Sequence, residues 1–249
     1  MKIVKYEKKK NGIYQIFLDD GNNVDLHEEV ILKHELLIRK ETNTNLLNIM
    51  LDENRTYIAY DLSIKYIAKK MRTEKEIREY LKTNNFDNKV VDDVISLLLK
   101  NSYIDDYKYS SMYVNDRLLL SYDGPLKIRE KLVSLGVCDD AINEALKKFN
   151  TNSQIDKVSK IVEKEAKINR NKSNVLLKNK ILNKLMMLGY DRSISLSVVN
   201  NFNFKNDKDA YDVQYKKIYD RLSKKYSGKE LEFKVNQKMY ALGFKNNYE

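Results

Sequence analysis

The chain has 249 residues, of which 42% are hydrophobic, 33% are charged and one is proline, and its formal net charge is +10. The hydrophobic content is ordinary for a soluble folded protein, and a single proline fits a mostly helical chain. Because the sequence has no apolar run of the roughly 18 to 20 residues that a membrane helix needs, no signal-peptide pattern and only one cysteine, we expect a cytoplasmic protein without membrane contact.

The N-terminal region carries the signals of a small antiparallel β-meander. Asn11-Gly12 and Asp20-Gly21 are strong two-residue hairpin turns. The stretches beside them are apolar and rich in β-branched or aromatic residues, which predicts short strands at 3–6, 13–18 and 24–26. Three strands of this length are marginally stable alone, so we expect them to pack on nearby helices.

Two helices are predicted after the meander. Asp25 with Glu28 has the spacing of a capping box, and it predicts a helix that runs to about Arg39. A second short helix is predicted at 45–53.

A repeated turn motif organises the rest of the chain. A leucine, a glycine and a bulky apolar residue end three amphipathic segments, at Leu135-Gly136-Val137, Leu188-Gly189-Tyr190 and Leu242-Gly243-Phe244. A degenerate copy, Asn84-Asn85-Phe86, completes a glycine column at positions 85, 136, 189 and 243. Glycine and asparagine both tolerate the left-handed conformation that ends many helices. The even spacing predicts tandem repeats.

Each copy of the motif lies between helices. Apolar residues at helical spacing precede and follow the column, and further helical segments lie upstream at 62–70, 107–118, 154–168 and 210–226. Thr73 with Glu76, Asp87 and Asp191 are predicted helix caps. We therefore predict a mainly α fold of three-helix repeats stacked into an elongated curved array. Its segments are the meander with short helices at 1–59, repeats at 60–104, 105–150 and 151–204, and a two-helix repeat at 205–249.

The most regular candidate binding residues are lysine pairs that occupy positions nine and five before the glycine in three copies. They are Lys127/Lys131, Lys180/Lys184 and Lys234/Lys238. Like charges four residues apart on a helix repel slightly, so local stability does not favour the pairs, and a partner outside the helix would explain them. Stacked repeats would carry them into one row that could bind phosphates or acidic side chains. The abundance of lysine could also produce such a column by chance.

The charge distribution supports a polyanionic partner. Residues 1–149 hold 25 basic and 25 acidic side chains, whereas residues 150–249 hold 21 and 11. A localised basic field attracts nucleic acid, although a lysine-rich proteome would give the same excess. Further basic candidates are Arg117, Arg129, Arg170 and Lys172. Tyrosines at 107, 109, 113, 211, 215 and 219 alternate with basic residues, and we interpret them mainly as core-edge side chains.

The sequence does not favour catalysis. All seven glycines are accounted for by turns and helix ends, which leaves no phosphate-binding loop. His27 and His34 have no cysteine cluster near them, and the aspartate pairs 105–106 and 139–140 are typical helix starts. We expect no catalytic residues, no metal and no cofactor.

Three stretches together resemble the RecX family, whose members regulate the RecA recombinase. They are Arg72-Thr73-Glu74-Lys75-Glu76-Ile77 through Leu81, Tyr103-Ile104-Asp105-Asp106 with 107–117, and Gly124 to Leu132 followed by Leu135-Gly136-Val137. The resemblance is most specific over residues 60–149. At Ser110-Ser111 the family pattern has an alanine, a difference that changes local packing only.

The resemblance implies a monomer that lies in the groove of the RecA filament on single-stranded DNA. There it would inhibit ATP hydrolysis and strand exchange and so modulate recombination, DNA repair and the SOS response. The residues alone leave two other classes open. One is a protein that binds double-stranded DNA through a helix-turn-helix, and the other is a helical adaptor that binds only protein.

Overall fold

The computed structural model describes residues 1–169, 172–204 and 207–244. Within this part the chain forms two compact units, unit 1 with residues 1–109 and 135–138 and unit 2 with residues 110–134 and 139–249. The strands are β1 Ile3–Lys8, β2 Ile13–Leu18 and β3 Asn23–His27. The first helices are α1 Glu28–Lys33, α2 Leu36–Arg39, α3 Thr44–Lys69, α4 Glu74–Thr83 and α5 Asn88–Lys100. The later helices are α6 Asp106–Leu120, α7 Pro125–Ser134, α8 Asp139–Leu146, α9 Thr151–Ile168, α10 Asn174–Met187, α11 Arg192–Asn201, α12 Asp207–Leu222 and α13 Gly228–Ala241.

The predicted β-meander is confirmed, with antiparallel strands in the order β1-β2-β3. Its inner face, including Ile16 and Leu26, packs with Val30 of α1, Leu36 of α2 and Met50 of α3 in one buried cluster. The sheet is therefore supported by these helices, as its small size requires.

The predicted helix boundaries after the meander are wrong. The cap of α1 is His27, whose side chain accepts a hydrogen bond from the backbone of Glu29. The helix ends at Lys33, because Glu35 adopts a left-handed conformation with φ of 53° before α2 begins. The short helix predicted at 45–53 is instead the start of the 26-residue helix α3, which also contains residues 62–69 of the segment predicted at 62–70.

The predicted repeat helices agree with the structure. The segments upstream of each turn lie in α3, α6, α9 and α12, and the segments that end at the column are α4, α7, α10 and α13. Thr73 and Glu76 form the predicted capping box, and Asp87 and Asp191 cap α5 and α11. The five-segment division stays a prediction, and its first boundary, between residues 59 and 60, falls inside α3.

The glycine column has the predicted backbone conformation. Asn85, Gly136, Gly189 and Gly243 all have φ between 62° and 81°. In three copies the residue that follows the column position donates its backbone N–H to the carbonyl of the residue five positions before it. One example is the hydrogen bond from Tyr190 to Leu185. This hydrogen bond belongs to the Schellman motif, which satisfies carbonyls at the end of a helix.

The three glycines of the column share a second property, which the sequence did not reveal. We call the helices that end at the column, α4, α7, α10 and α13, the column helices. Each glycine lies against the N-terminal end of the column helix in the preceding copy. A Cβ atom would lie 3.0 Å from Lys75 Cβ if added to Gly136, 2.4 Å from the Lys127 backbone nitrogen if added to Gly189, and 2.5 Å from Ser173 Oγ if added to Gly243. Real Cβ atoms essentially never approach other atoms within 3.0 Å, so packing as well as conformation favours glycine at positions 189 and 243, and at Gly136 the contact is tight.

Backbone hydrogen bonds reinforce the contact at Gly189. Gly124 N donates to the carbonyl of Leu188 at 2.6 Å, and Leu126 N donates to the carbonyl of Gly189 at 3.0 Å. The first N–H groups of a helix and the last carbonyls of another otherwise lack partners. Here the start of α7 and the end of α10 satisfy each other.

Ser110, where the sequence departs from the family pattern, is fully buried on α6. Its hydroxyl donates to the carbonyl of Ala141 at 3.0 Å, so the buried oxygen is satisfied. Among the residues that the structure describes, no helix combines the length and the apolar composition of a membrane span.

Candidate functional site

A groove in unit 2 brings four of the predicted basic residues together. It has a volume of about 960 Å³ and runs along α10, with contributions from α7, α12 and the end of α13. Its lysines are Lys127, Lys172, Lys180 and Lys184, its amides are Asn179, Asn183 and Gln214, and its apolar side chains are Leu176, Met187, Leu188 and Leu242. We call this surface the α10 groove. None of its lining residues is acidic.

Lys180 and Lys184 share one carboxylate inside the protein. Their ammonium groups lie 3.4 Å and 2.6 Å from the two oxygens of Glu165 on α9, whose side chain is 8% exposed. Lys180 also donates to Asn169 Oδ1 at 2.9 Å. For this pair the expected partner outside the helix includes Glu165 of α9, a carboxylate behind the groove that holds both lysines, and contact with a polyanion stays a prediction.

The other two lysines of the groove differ in their partners. Lys127 forms an ion pair with Asp123, four residues earlier, at 2.7 Å. Lys172 is exposed and has no ion pair among the described residues. Each ammonium has three donors, so the paired lysines keep further donors for a ligand. Because two carboxylates face four lysines, the groove keeps an excess of positive charge.

The hydrogen bond from Lys184, with the charge of Lys180 in support, holds the pKa of Glu165 below its ordinary value. A carboxylate with a lowered pKa in the folded state stabilises the protein above its unfolded pKa, and this stabilisation is lost as the pH falls through the folded value.

We expect the stability difference between the wild type and Glu165→Gln to shrink as the pH falls from about 7 to about 3. The glutamine keeps the shape of the side chain but does not titrate in this range. Urea unfolding midpoints of the two proteins, measured at matched pH values, would check this expectation. A difference that stays constant with pH would contradict it.

The remaining candidates are not brought into the groove. Lys131, Lys234 and Lys238 lie on α7 and α13 but are not among the lining residues. Arg129 is bound to α8, with an ion pair to Asp139 at 3.3 Å and a hydrogen bond to Asn143. That these residues contact a polyanion stays a prediction.

Arg117 and Arg170 complete the set of predicted residues. Arg117 packs over the ring of Tyr113 at 4.9 Å and lies 4.0 Å from Asp123. Arg170 lies outside the described residues. Arg117 therefore contacts side chains of α6 and of the turn that follows it.

The tyrosines behave mainly as core-edge side chains. Tyr109 is buried, and Tyr211 and Tyr215 pack against the apolar cluster of α12 and α13. Tyr211, Tyr215 and Tyr219 form a stack along α12, with centroid distances of 5.7 Å and 6.0 Å. Tyr107 and Tyr219 are more exposed, at 53% and 40%.

The sequence interpretation missed Glu165 and the apolar part of the groove. A signal for Glu165 was present, because it follows Val158 and Ile161 at helical spacing and thus occupies the buried stripe of α9. An acid in a buried stripe requires a basic partner. Leu176, Met187 and Leu242 come from separate elements, and no local pattern joins them.

The described residues contain no group of three or more histidine, cysteine or acidic side chains placed to hold a metal ion. The fold and the groove together define a class, which is that of helical-repeat proteins with a basic groove on the surface.

Comparison with known proteins identifies the family. Residues 59–98 match the family model described as RecX, first three-helix domain. A regulatory protein RecX from Streptococcus agalactiae is 30% identical over 249 residues, covering 98% of this chain and 95% of that protein. One from Oceanobacillus iheyensis is 27% identical and covers 96% and 91%. The chain belongs to the RecX family.

Solved structures agree with this assignment. A crystal structure of regulatory protein RecX superposes with a TM-score of 0.73 at 26% identity, covering 80% of this chain and 99% of that one. A second, RecX from Lactobacillus salivarius, has a TM-score of 0.57 at 24% identity over 59% of this chain, and it supports the fold alone. The names of these relatives describe them as regulatory proteins.

Proposed function

We propose that this protein regulates the RecA recombinase by binding the RecA filament on single-stranded DNA and inhibiting its ATPase and strand-exchange activities. It would thereby modulate recombination, DNA repair and the SOS response, without catalysis of its own. Membership of the RecX family over nearly the full chain carries this proposal. Relatives of that coverage share the architecture on which a regulatory surface depends.

The structure supports the proposal in two ways. The tandem helices present successive similar surfaces along the chain, which suits a partner that is itself repetitive. The α10 groove adds a basic surface in unit 2, and the DNA within a filament is a polyanion. Glycines that maintain the packing of the repeats would then act indirectly, by keeping the groove assembled.

The proposal can be tested by titrating the DNA-dependent ATPase of RecA with this protein at about 50 mM and about 200 mM salt. We expect inhibition at micromolar protein that weakens at the higher salt, because phosphate contacts are screened. Absence of any effect on RecA at either salt concentration would contradict the proposal. Binding to short duplexes with a sequence preference would instead favour the helix-turn-helix class, and inhibition without salt dependence would favour a protein-only adaptor.

A further inference from the structure

The α10 groove has a chemical organisation beyond its positive charge. Lys172, Leu176, Lys180, Lys184 and Met187 follow one another along a single face of α10 and the residues before it. At 1.5 Å per residue the 14-residue helix is about 21 Å long. Stacked bases rise about 3.4 Å along one strand, so this face is long enough for about six nucleotides.

Apolar side chains line the groove beside the lysines, where a ligand could reach them. Met187 is 82% exposed at the end of α10, and Leu176 and Leu242 are 38% and 36% exposed. A methionine sulfur makes favourable contacts with aromatic rings. Unpaired nucleobases offer such rings, whereas in a duplex the base faces are stacked on one another and closed to side chains.

Amide side chains complete the lining. Asn179 and Asn183 are one turn apart on α10, and Gln214 approaches from α12. An amide both donates and accepts hydrogen bonds, as the edge of a nucleobase does. A purely acidic peptide would use the lysines and the amides but would offer the methionine no aromatic ring.

We propose that the α10 groove binds a single-stranded nucleic acid directly and in preference to a duplex, with lysines on the phosphates and with Met187 and its apolar neighbours on the bases. This deepens and rests on the proposed function, because it assigns the DNA of the filament to this groove. Glu165 acts as a positioning residue, since it holds the ammonium groups of Lys180 and Lys184 at the groove wall.

The test uses the full chain without RecA. A labelled oligothymidylate of about 20 nucleotides and a duplex of equal length are titrated by fluorescence anisotropy at about 50 mM and about 200 mM salt. We expect the wild type to bind the single strand more tightly than the duplex, with an affinity that falls at the higher salt.

Two matched pairs of variants separate the two parts of the groove. Lys172→Gln should weaken binding and lower the salt slope by about 0.7, the value for one lost contact to a single-strand phosphate. Its control is Lys216→Gln, because Lys216 is exposed on α12 but lies two residues after Gln214 and so on another face.

Met187→Ala should weaken single-strand binding by about two- to tenfold without changing the salt slope, because it removes a contact to a base and not to a phosphate. Met186→Ala is its control, since Met186 is adjacent on α10 but does not line the groove. Circular dichroism of all four variants would show that the fold is retained.

Three outcomes would overturn the inference. They are no detectable oligonucleotide binding at the lower salt, equal affinity for duplex and single strand with no effect of Met187→Ala, and displacement of the oligonucleotide by a polyglutamate peptide as effective as unlabelled oligonucleotide. Inhibition of RecA without oligonucleotide binding would leave the proposed function standing and remove this inference. Oligonucleotide binding without any effect on RecA would contradict the proposed function and leave the assignment of single-strand binding to the α10 groove standing.

Discussion

Gly189→Ala is expected to lower the free energy of unfolding by about 3 kcal/mol. The left-handed backbone at φ of 81° costs an L-residue about 1 to 2 kcal/mol. The added methyl group would also lie 2.4 Å from the backbone nitrogen of Lys127, and overpacking of this kind costs about 1 to 3 kcal/mol. Urea unfolding of the variant and the wild type would give the difference.

Gly228→Ala is the matched control in the same unit. Gly228 also has a positive φ, 58°, but no atom lies within 4 Å of the position that its Cβ would occupy. We therefore expect only the conformational cost, about 1 kcal/mol. Equal losses in the two variants would show that the contact between Gly189 and Lys127 does not constrain the fold.

The double substitution Lys180→Met with Lys184→Met is expected to lower the free energy of unfolding by about 2 to 3 kcal/mol. It removes both described ion-pair partners of Glu165, whose side chain is 8% exposed. Loss of the partner of a fully buried charge costs about 3 to 5 kcal/mol, and the smaller value here reflects lysines that are each 45% exposed.

A third substitution distinguishes an unpaired charge from lost packing. Adding Glu165→Met to the double variant replaces all three charged groups with apolar ones, and such replacements are often neutral or stabilising. We expect most of the lost stability to return, as measured by urea unfolding at neutral pH. A triple variant as unstable as the double variant would show that the lysines act by packing alone.

Much of the fold could be predicted because its signals are local. The hairpin turns at Gly12 and Gly21 and the caps at Thr73 and Asp191 depend on residues within a few positions of one another. The errors arose where tertiary packing overrides local preference. Helix α3 continues through residues 54–61 because it packs on both the meander and α5, and no short-range pattern records that.

The candidate site was predictable only in part. The constant spacing from the glycine column predicted Lys127, Lys180 and Lys184 as binding residues, because residues at the same distance from the column lie at equivalent positions of equivalent helices. Their carboxylate partner on α9 and the apolar residues beside them come from other elements, so their proximity depends on how the helices pack. Counting charges could not show that one buried acid restrains two of these lysines.

The glycine column also bears on how such a chain can grow. Asn85 is the first member, no column helix precedes it among the described residues, and its side chain is exposed, so asparagine meets the backbone requirement there. A duplication inserted upstream would place a helix beside residue 85 and would demand glycine there. Asparagine at position 85 therefore fits a copy that has no column helix before it, whereas a copy that follows another one favours glycine.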